Sequence, residues 1–449
     1  MSAGLPVESI AGLLREGVAG PVWTRPEQLE AYGTNYGNRV RRAPALAVGV
    51  SSEAEVVHVL RVARDRRLPV NVRGAGHSFG EQGLCEGGLV IVSQLGEPDC
   101  TVVEDAVEVS TRTTWGALER ALNRAGRTVP VLTTEPGVSV GGTLAVGGYG
   151  AASVRDHCQV DLVRRFRLVR PDGSALWCSP ETTPDLFRHG LASLGQLGYV
   201  ERVVLRTLPY HRRSLVAVRH HAGLRDLVAS TTWLLEDDQP GLDFFSGHLG
   251  PGGCVSTLGV RVPDGERCRP EGRLAEVFTR DSAAYVEGWP PRRRTDEDAF
   301  DPDVIHSWQD YVVDLAHVER FVDFVTARVL TDEVAGRHFR RLQLLLDLHP
   351  ERKGLFPFEA AHGDMRGAAY GFSLDFNVPR SDAEGWRAVR RLQKETLERC
   401  MACGGRPYLA SGPPLDEATR RRLYGQSYVE HQRLRREHDP LLLFNSGPL

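Results

Sequence analysis

Two glycine clusters constrain this chain more than any other feature: RGAGHSFG at Arg73–Gly80 and PGVSVGGTLAVGGYG at Pro136–Gly150. Glycine at that density is costly in chain entropy, and it is tolerable where backbone must turn sharply or approach a ligand closely. The first cluster follows directly on LPVNV, a strand-like run. A Rossmann dinucleotide turn needs G-x-G-x-x-G opening a helix. Here the glycines are Gly74, Gly76 and Gly80, and EQGLCEGG follows, which does not read as a helix. A nicotinamide-binding turn of that type is therefore a poor fit. An arginine, three glycines and a serine after a buried strand still offer amide N–H groups and a hydroxyl to an anion. His77 stands in their midst.

The surrounding chain alternates short strands and helices. SSEAEVVHVLRVARDRR places Val56, Val57, Leu60 and Ala63 on one helix face, and Ser52 with Glu55 predicts a capping box at its start. GGLVIVSQL reads as a buried strand, and CTVVEDAVEVS as two strands around a turn at Glu104–Asp105. TTWGALERALNRAGRTVPV predicts a helix capped near Thr113 and stopped at Gly126. VDLVRRFRLVRPDGSALWCS reads as a hairpin turning at Asp172–Gly173. From about residue 211 to 405 the texture changes to longer alternating strands (LDFFSGHL, GCVSTLGVRV, AAYGFSLDFNV) mixed with helices, an α+β pattern with antiparallel pairing.

Composition narrows the function classes. With 449 residues, 41% of them apolar, the chain is long enough for two or three cores. A net charge of −3 leaves no basic footprint for nucleic acid. There is no basic-then-apolar leader and no apolar run long enough to cross a bilayer, so a cytoplasmic location with reduced thiols is expected. Of the eight cysteines only Cys400 and Cys403 form a C-x-x-C pair. With no second pair at ligand spacing, no metal site is expected.

P-V-N-V-R-G-A-G-H-S, SVGGTLAVGGYG and CSPETTPDLFRHGLASLGQLGYVERVVLRTLP, in that order, resemble the vanillyl-alcohol oxidase / p-cresol methylhydroxylase (PCMH) superfamily of FAD enzymes. The pattern is similar above all to cytokinin dehydrogenase-like and berberine bridge enzyme-like oxidases. The resemblance covers residues 40–210 closely and the tail HDPLLLFNSGPL more loosely. It implies an α+β chain with a PCMH-type FAD-binding fold of two α/β subdomains, plus a substrate domain whose antiparallel sheet is flanked by helices. The expected boundaries are 1–210 for the FAD-binding domain, 211–405 for the substrate-binding domain, and 406–449 for a return to the first domain.

Position by position, the resemblance implies that His77 is the histidine bonded through its ring to the 8α-methyl of the flavin. Arg73, Gly74, Ala75, Gly76 and Ser78 would form the loop around the pyrophosphate, and Gly141, Gly142 and Thr143 a second phosphate turn. Gly147 and Gly148 would let backbone lie against the cofactor. Gln159, Val200 and Asn445 complete the expected FAD contacts. Two departures stand out. The berberine-bridge branch carries a second flavin-linking cysteine where this chain has Glu135, so a single covalent link is expected. Cytokinin dehydrogenases carry a catalytic aspartate where this chain has Thr134.

A flavin oxidase removes hydride from a C–H while a protein group takes the proton from the adjacent O–H or N–H. Candidate bases are Glu135 and, in FEAAHGDMRGAAYGFSLDF, Glu359, Tyr370 and Asp375. Tyr370 and Asp375 differ by an odd number, so on a strand they face opposite sides. Tyr408 is a further candidate, and Phe244, Phe245 and His248 are core or substrate-wall residues. Trp289 is a loop anchor or lid residue. The expected function is FAD-dependent oxidation of a small organic alcohol or amine, as in specialised metabolism, by hydride transfer to flavin N5. Molecular oxygen or another electron acceptor would reoxidise the flavin, with the chain a monomer or homodimer. The alternatives are cytokinin-type amine oxidation and a non-catalytic FAD-bearing binding protein.

Overall fold

The computed structural model describes residues 6–133, 135–236, 242–262, 277–281, 301–348, 355–411 and 415–445. Thr134 and Trp289 lie outside the described residues. The first sheet contains β1 (Val22–Trp23), β2 (Leu46–Val50), β3 (Val70–Arg73) and β4 (Leu89–Ser93), in the order β1-β2-β4-β3. β2, β4 and β3 run parallel and β1 antiparallel to them. Every residue of β2 is buried, the pattern of a strand covered on both faces. Helix Glu53–Asp65 packs on this sheet through Val56, Val59, Leu60 and Ala63. Its cap is only half the expected box. Ser52 Oγ accepts from the Glu55 amide at 3.3 Å, but the Glu55 carboxylate accepts from the amides of Ser51 (2.6 Å) and Ala19 (2.9 Å). The acid is thereby spent on tying the preceding segment to the helix start.

The second sheet is antiparallel, formed by β5 (Cys100–Val103), β6 (Ala106–Ser110), β8 (Val163–Val169), β9 (Ala175–Cys178) and β10 (Tyr199–Arg206) in the order β5-β6-β10-β8-β9. β7 (Arg127–Thr128) pairs with β11 (Leu208–Pro209) in a short ribbon. Helix Trp115–Arg124 is capped by Thr114, one residue beyond the sequence expectation.

The third sheet has eight strands: β12 (Arg213–His221), β13 (Leu242–Gly250), β14 (Gly253–Val262), β15 (Val277–Asp281), β16 (Val304–Asp314), β17 (Phe339–Asp347), β18 (Ala369–Pro379) and β19 (Arg406–Pro407). Their order is β15-β12-β14-β13-β17-β18-β16-β19, all antiparallel. Strand alternation sorts its side chains. Tyr370, Phe372, Leu374 and Phe376 of β18, with Leu342, Leu344 and Leu346 of β17, join a core shared with helices Val318–Phe324 and Ala383–Ala402. Cys400 and Cys403 close the second of these helices, both buried. The alternate positions, Gly371, Ser373, Gln343 and Leu345, face a cavity.

The tail contains a feature absent from the sequence reading, helix Glu417–His438. Its buried positions are largely polar or aromatic (Arg420, Tyr424, Tyr428, His431, Leu434, Arg435), and Gly425 at φ +50° interrupts it, so no apolar 3.6-residue period marks it. Beyond it the chain returns to the first sheet. The Val70 amide donates to Leu443 O at 2.7 Å, and the Asn445 amide to Val70 O at 2.6 Å.

Candidate functional site

A cavity of about 490 Å³ lies between the first two sheets and the third. The chain end of β3 turns into its wall. Arg73, Gly74, Ala75, Gly76, His77 and Ser78 all line it. Gly76 sits at φ +80°, and a Cβ there would fall 2.8 Å from the Arg73 guanidinium, so the turn requires a residue without one. Arg73 is held by donating to Thr34 O at 3.0 Å. Among the described residues, no hydrogen bond takes the amide N–H of Ala75 or Gly76. Such unspent donors form a cradle for an anion. The His77 ring stacks on Tyr36, centroids 4.8 Å apart and planes 16° from parallel.

The second glycine cluster supplies the adjoining wall through Gly141, Gly142 and Thr143. Ser139 caps this short helix by accepting from the Gly142 amide at 3.2 Å. A Cβ on Gly142 would meet only Ser139 Oγ within 4 Å, so backbone is presented to open space. The Thr143 hydroxyl is taken up by Trp115 Nε1 (2.7 Å) and by Val140 O. Gly147 and Gly148 sit at φ +109° and +75°; with Gln159 they lie behind the lining rather than in it. A Cβ at Gly148 would strike Gln159 Oε1 at 2.3 Å, while Gln159 Nε2 donates to Val131 O at 3.2 Å. Val200 and Asn445 line the far end. The Asn445 side chain donates to Leu194 O, which fixes the tail against the cavity floor.

The third sheet closes the opposite side. Ser246 and His248 from β13, Thr257 from β14, Arg341 and Gln343 from β17, Trp308 and Asp310 from β16 and Ser373 from β18 all face in. His248 Nε2 and Gln343 Nε2 each lie 2.9 Å from Ser246 Oγ. Burial, with the nearby Arg341 charge, lowers His248 to about 4, so it is neutral near pH 7. Arg341 stacks over Trp308 at 5.2 Å and pairs with Asp375 at 3.2 Å.

One of the ties between the two sides lies beside the His77 turn. The Phe79 amide donates to Ala410 O at 3.1 Å and Gln82 Nε2 to Leu409 O at 2.6 Å. Tyr408 next to them lines the cavity, its hydroxyl accepting from the amides of Gly148 (3.2 Å) and Tyr149 (3.4 Å).

Of the base candidates, Glu135 lines the cavity and accepts from the Gly137 amide at 3.0 Å. The other three do not line it. Tyr370 is fully buried on the helix side of β18, its hydroxyl 3.0 Å from Thr231 Oγ1. Asp375 faces the cavity side of its strand but is buried beside Arg341 and His306. Glu359 is fully buried in a separate cluster with Cys158 and Asp161. Phe245 is core, whereas Phe244 and His248 line the cavity. Sequence reasoning missed Asp310, which no local motif marks and which reaches the site only through strand pairing.

Residues 44–179 match the FAD binding domain family. An uncharacterized oxidoreductase of the fasciation locus of Rhodococcoides fascians is 30% identical over 191 residues, 42% of this chain and 44% of that protein. Cytokinin dehydrogenase 4 of Arabidopsis thaliana is 28% identical over 200 residues, 40% of this chain and 38% of that protein. The matched stretch thus spans less than half the length of each relative. A solved chitooligosaccharide oxidase superimposes with a TM-score of 0.74 at 16% identity, covering 97% of both chains. Residues 44–179 are therefore similar to an FAD binding domain, and the chain as a whole shares the fold of that chitooligosaccharide oxidase.

Proposed function

We propose that this protein is an FAD-dependent oxidase of a small organic alcohol, with an amine as the related possibility, and that FAD is tethered through His77. The observation that carries this reading is one continuous cavity with glycine turns on one side and, on the other, a polar sheet face on which Arg341 and Asp310 stand among neutral hydrogen-bonding side chains. Bound FAD would supply a two-electron acceptor for a C–H bond. Arg73, the Ala75 and Gly76 amides and the Gly141–Gly142 turn line one wall of the cavity, and on this reading they would hold its pyrophosphate. Stacking on Tyr36 holds the His77 ring in one orientation, which suits a side chain that forms a single covalent link. Ser246, neutral His248, Gln343 and Thr257 offer hydrogen bonds without net charge, which fits hydroxyl-bearing substrates. Residues 1–210 with the tail would bind the cofactor and 211–405 the substrate, though the first tail residues, Arg406–Pro407, pair with β16 of the substrate sheet. Molecular oxygen is the proposed final acceptor.

The test is anaerobic bleaching of the purified yellow protein by a panel of primary alcohols, aldoses, benzylamine and N⁶-isopentenyladenine. The reading expects an alcohol or aldose to bleach it, and readmitted oxygen to restore the colour. Bleaching by N⁶-isopentenyladenine alone would replace it with the cytokinin-type amine reading. No bleaching by any of them would favour a binding protein.

A further inference from the structure

Asp310 lies on β16, partly accessible through the cavity it lines. Its carboxylate is gripped from three directions. Oδ1 accepts from Trp308 Nε1 at 2.8 Å and from the Ser373 hydroxyl, and Oδ2 accepts from Ser411 Oγ at 2.5 Å. Its own amide donates to Ser411 Oγ at 3.0 Å. No cation pairs with it among the described residues, unlike Asp375, which meets Arg341 and His306. Three neutral donors fix the geometry and leave the remaining lone pairs for a ligand proton. Ser411 belongs to the same segment, residues 408–411, on which the His77 turn is docked through Phe79 and Gln82. The carboxylate and the flavin-holding turn are therefore locked in one frame.

From this placement we propose that Asp310 is the catalytic base of the oxidation, an inference that rests on the FAD-oxidase reading. The substrate O–H bond breaks and its proton passes to a free lone pair on an Asp310 oxygen. Its electron pair forms the new carbonyl π bond. The adjacent C–H bond breaks with both electrons, which bound FAD would accept as a hydride, leaving a carbonyl product and a neutral Asp310. Burial raises the Asp310 pKa, opposed by the bonds from Ser373, Ser411 and Trp308 and aided by the charge of Asp375. A base moved toward the working pH is better matched to its task. The other titratable groups within electrostatic reach of it are Asp375 on β18, Tyr311 on β16, Tyr408 and Tyr149. Burial raises all four, the three tyrosines from an already high starting point, so near neutral pH only the two carboxyls compete for a proton.

The test compares wild type with Asp310→Asn by two readouts. The first needs no flavin: a ¹³C NMR pH titration of protein labelled at aspartate carboxyls. A resonance titrating above the ordinary aspartate range is expected in wild type and missing in the variant. The second is anaerobic bleaching by benzyl alcohol, D-glucose and benzylamine, with visible absorbance showing equal flavin content. The variant is expected to bleach about 100-fold more slowly or worse, and the wild-type rate to rise with pH through the same titration. A variant that bleaches at the wild-type rate overturns the proposal. So does a missing resonance that titrates in the ordinary range. A wild type without flavin would instead defeat the functional reading, while the carboxyl titration still decides the state of Asp310.

Discussion

The Tyr408 hydroxyl accepts from two successive backbone amides, Gly148 and Tyr149, so its work is to hold the second glycine turn in shape. Tyr408→Phe leaves both amides without that acceptor. The expected cost is about 1–3 kcal/mol, read as a lower urea midpoint, with bleaching retained at a reduced rate. An unchanged midpoint would remove Tyr408 from this role. At this scale the sequence was most informative where residues act as neighbours in the chain. Arg73 to Ser78 line the cavity together and appear together in RGAGHSFG. Asp310 meets Ser373 and Ser411 only after three distant segments pair, and nothing in SWQDYVV distinguishes it from any other strand acid.

Among the elements, β18 shows how far alternation can be read. The odd spacing of Tyr370 and Asp375 correctly separated their faces, but only the cavity position shows that Tyr370 is the inward, helix-side residue. The tail is the reverse case. Helix Glu417–His438 hid behind a polar sequence, while the tie beyond it combines the backbone bridge of Phe444 to Val70 with the burial of the Phe444 ring. Phe444→Ala is expected to cost about 3–5 kcal/mol. It should also lower flavin occupancy, because Asn445 and the Leu194 loop lose their anchor. Equilibrium unfolding with absorbance checks both; full occupancy in a destabilised variant would separate the tail from the cofactor site.

Over the whole molecule, buried histidines set the response to acid. Burial first, then nearby cations, lowers His248 and His362 to about 4, and burial with His189 and Arg435 lowers His431 to about 3. The unfolded chain takes up these protons below about pH 6.5 and the folded chain does not. Stability should therefore fall as pH drops from 6.5 toward 4, by up to about 1.4 kcal/mol per pH unit for each histidine. Glu119, raised to about 7 by burial, works against them, as do Asp310 and Asp375, also raised by burial, since their folded forms hold protons that the unfolded chain has released. His431→Gln should flatten the slope by up to one histidine's share, measured by urea unfolding between pH 4 and pH 6.5. An unchanged slope would mean that His431 is not the group held neutral.

The central claim is that the cavity holds FAD bonded to His77, and denaturing mass spectrometry of wild type and His77→Ala tests it most directly. The account predicts that wild type keeps the mass of one flavin after denaturation and that the variant loses it. Wild type that releases all its flavin, or a variant that keeps the added mass, would contradict it.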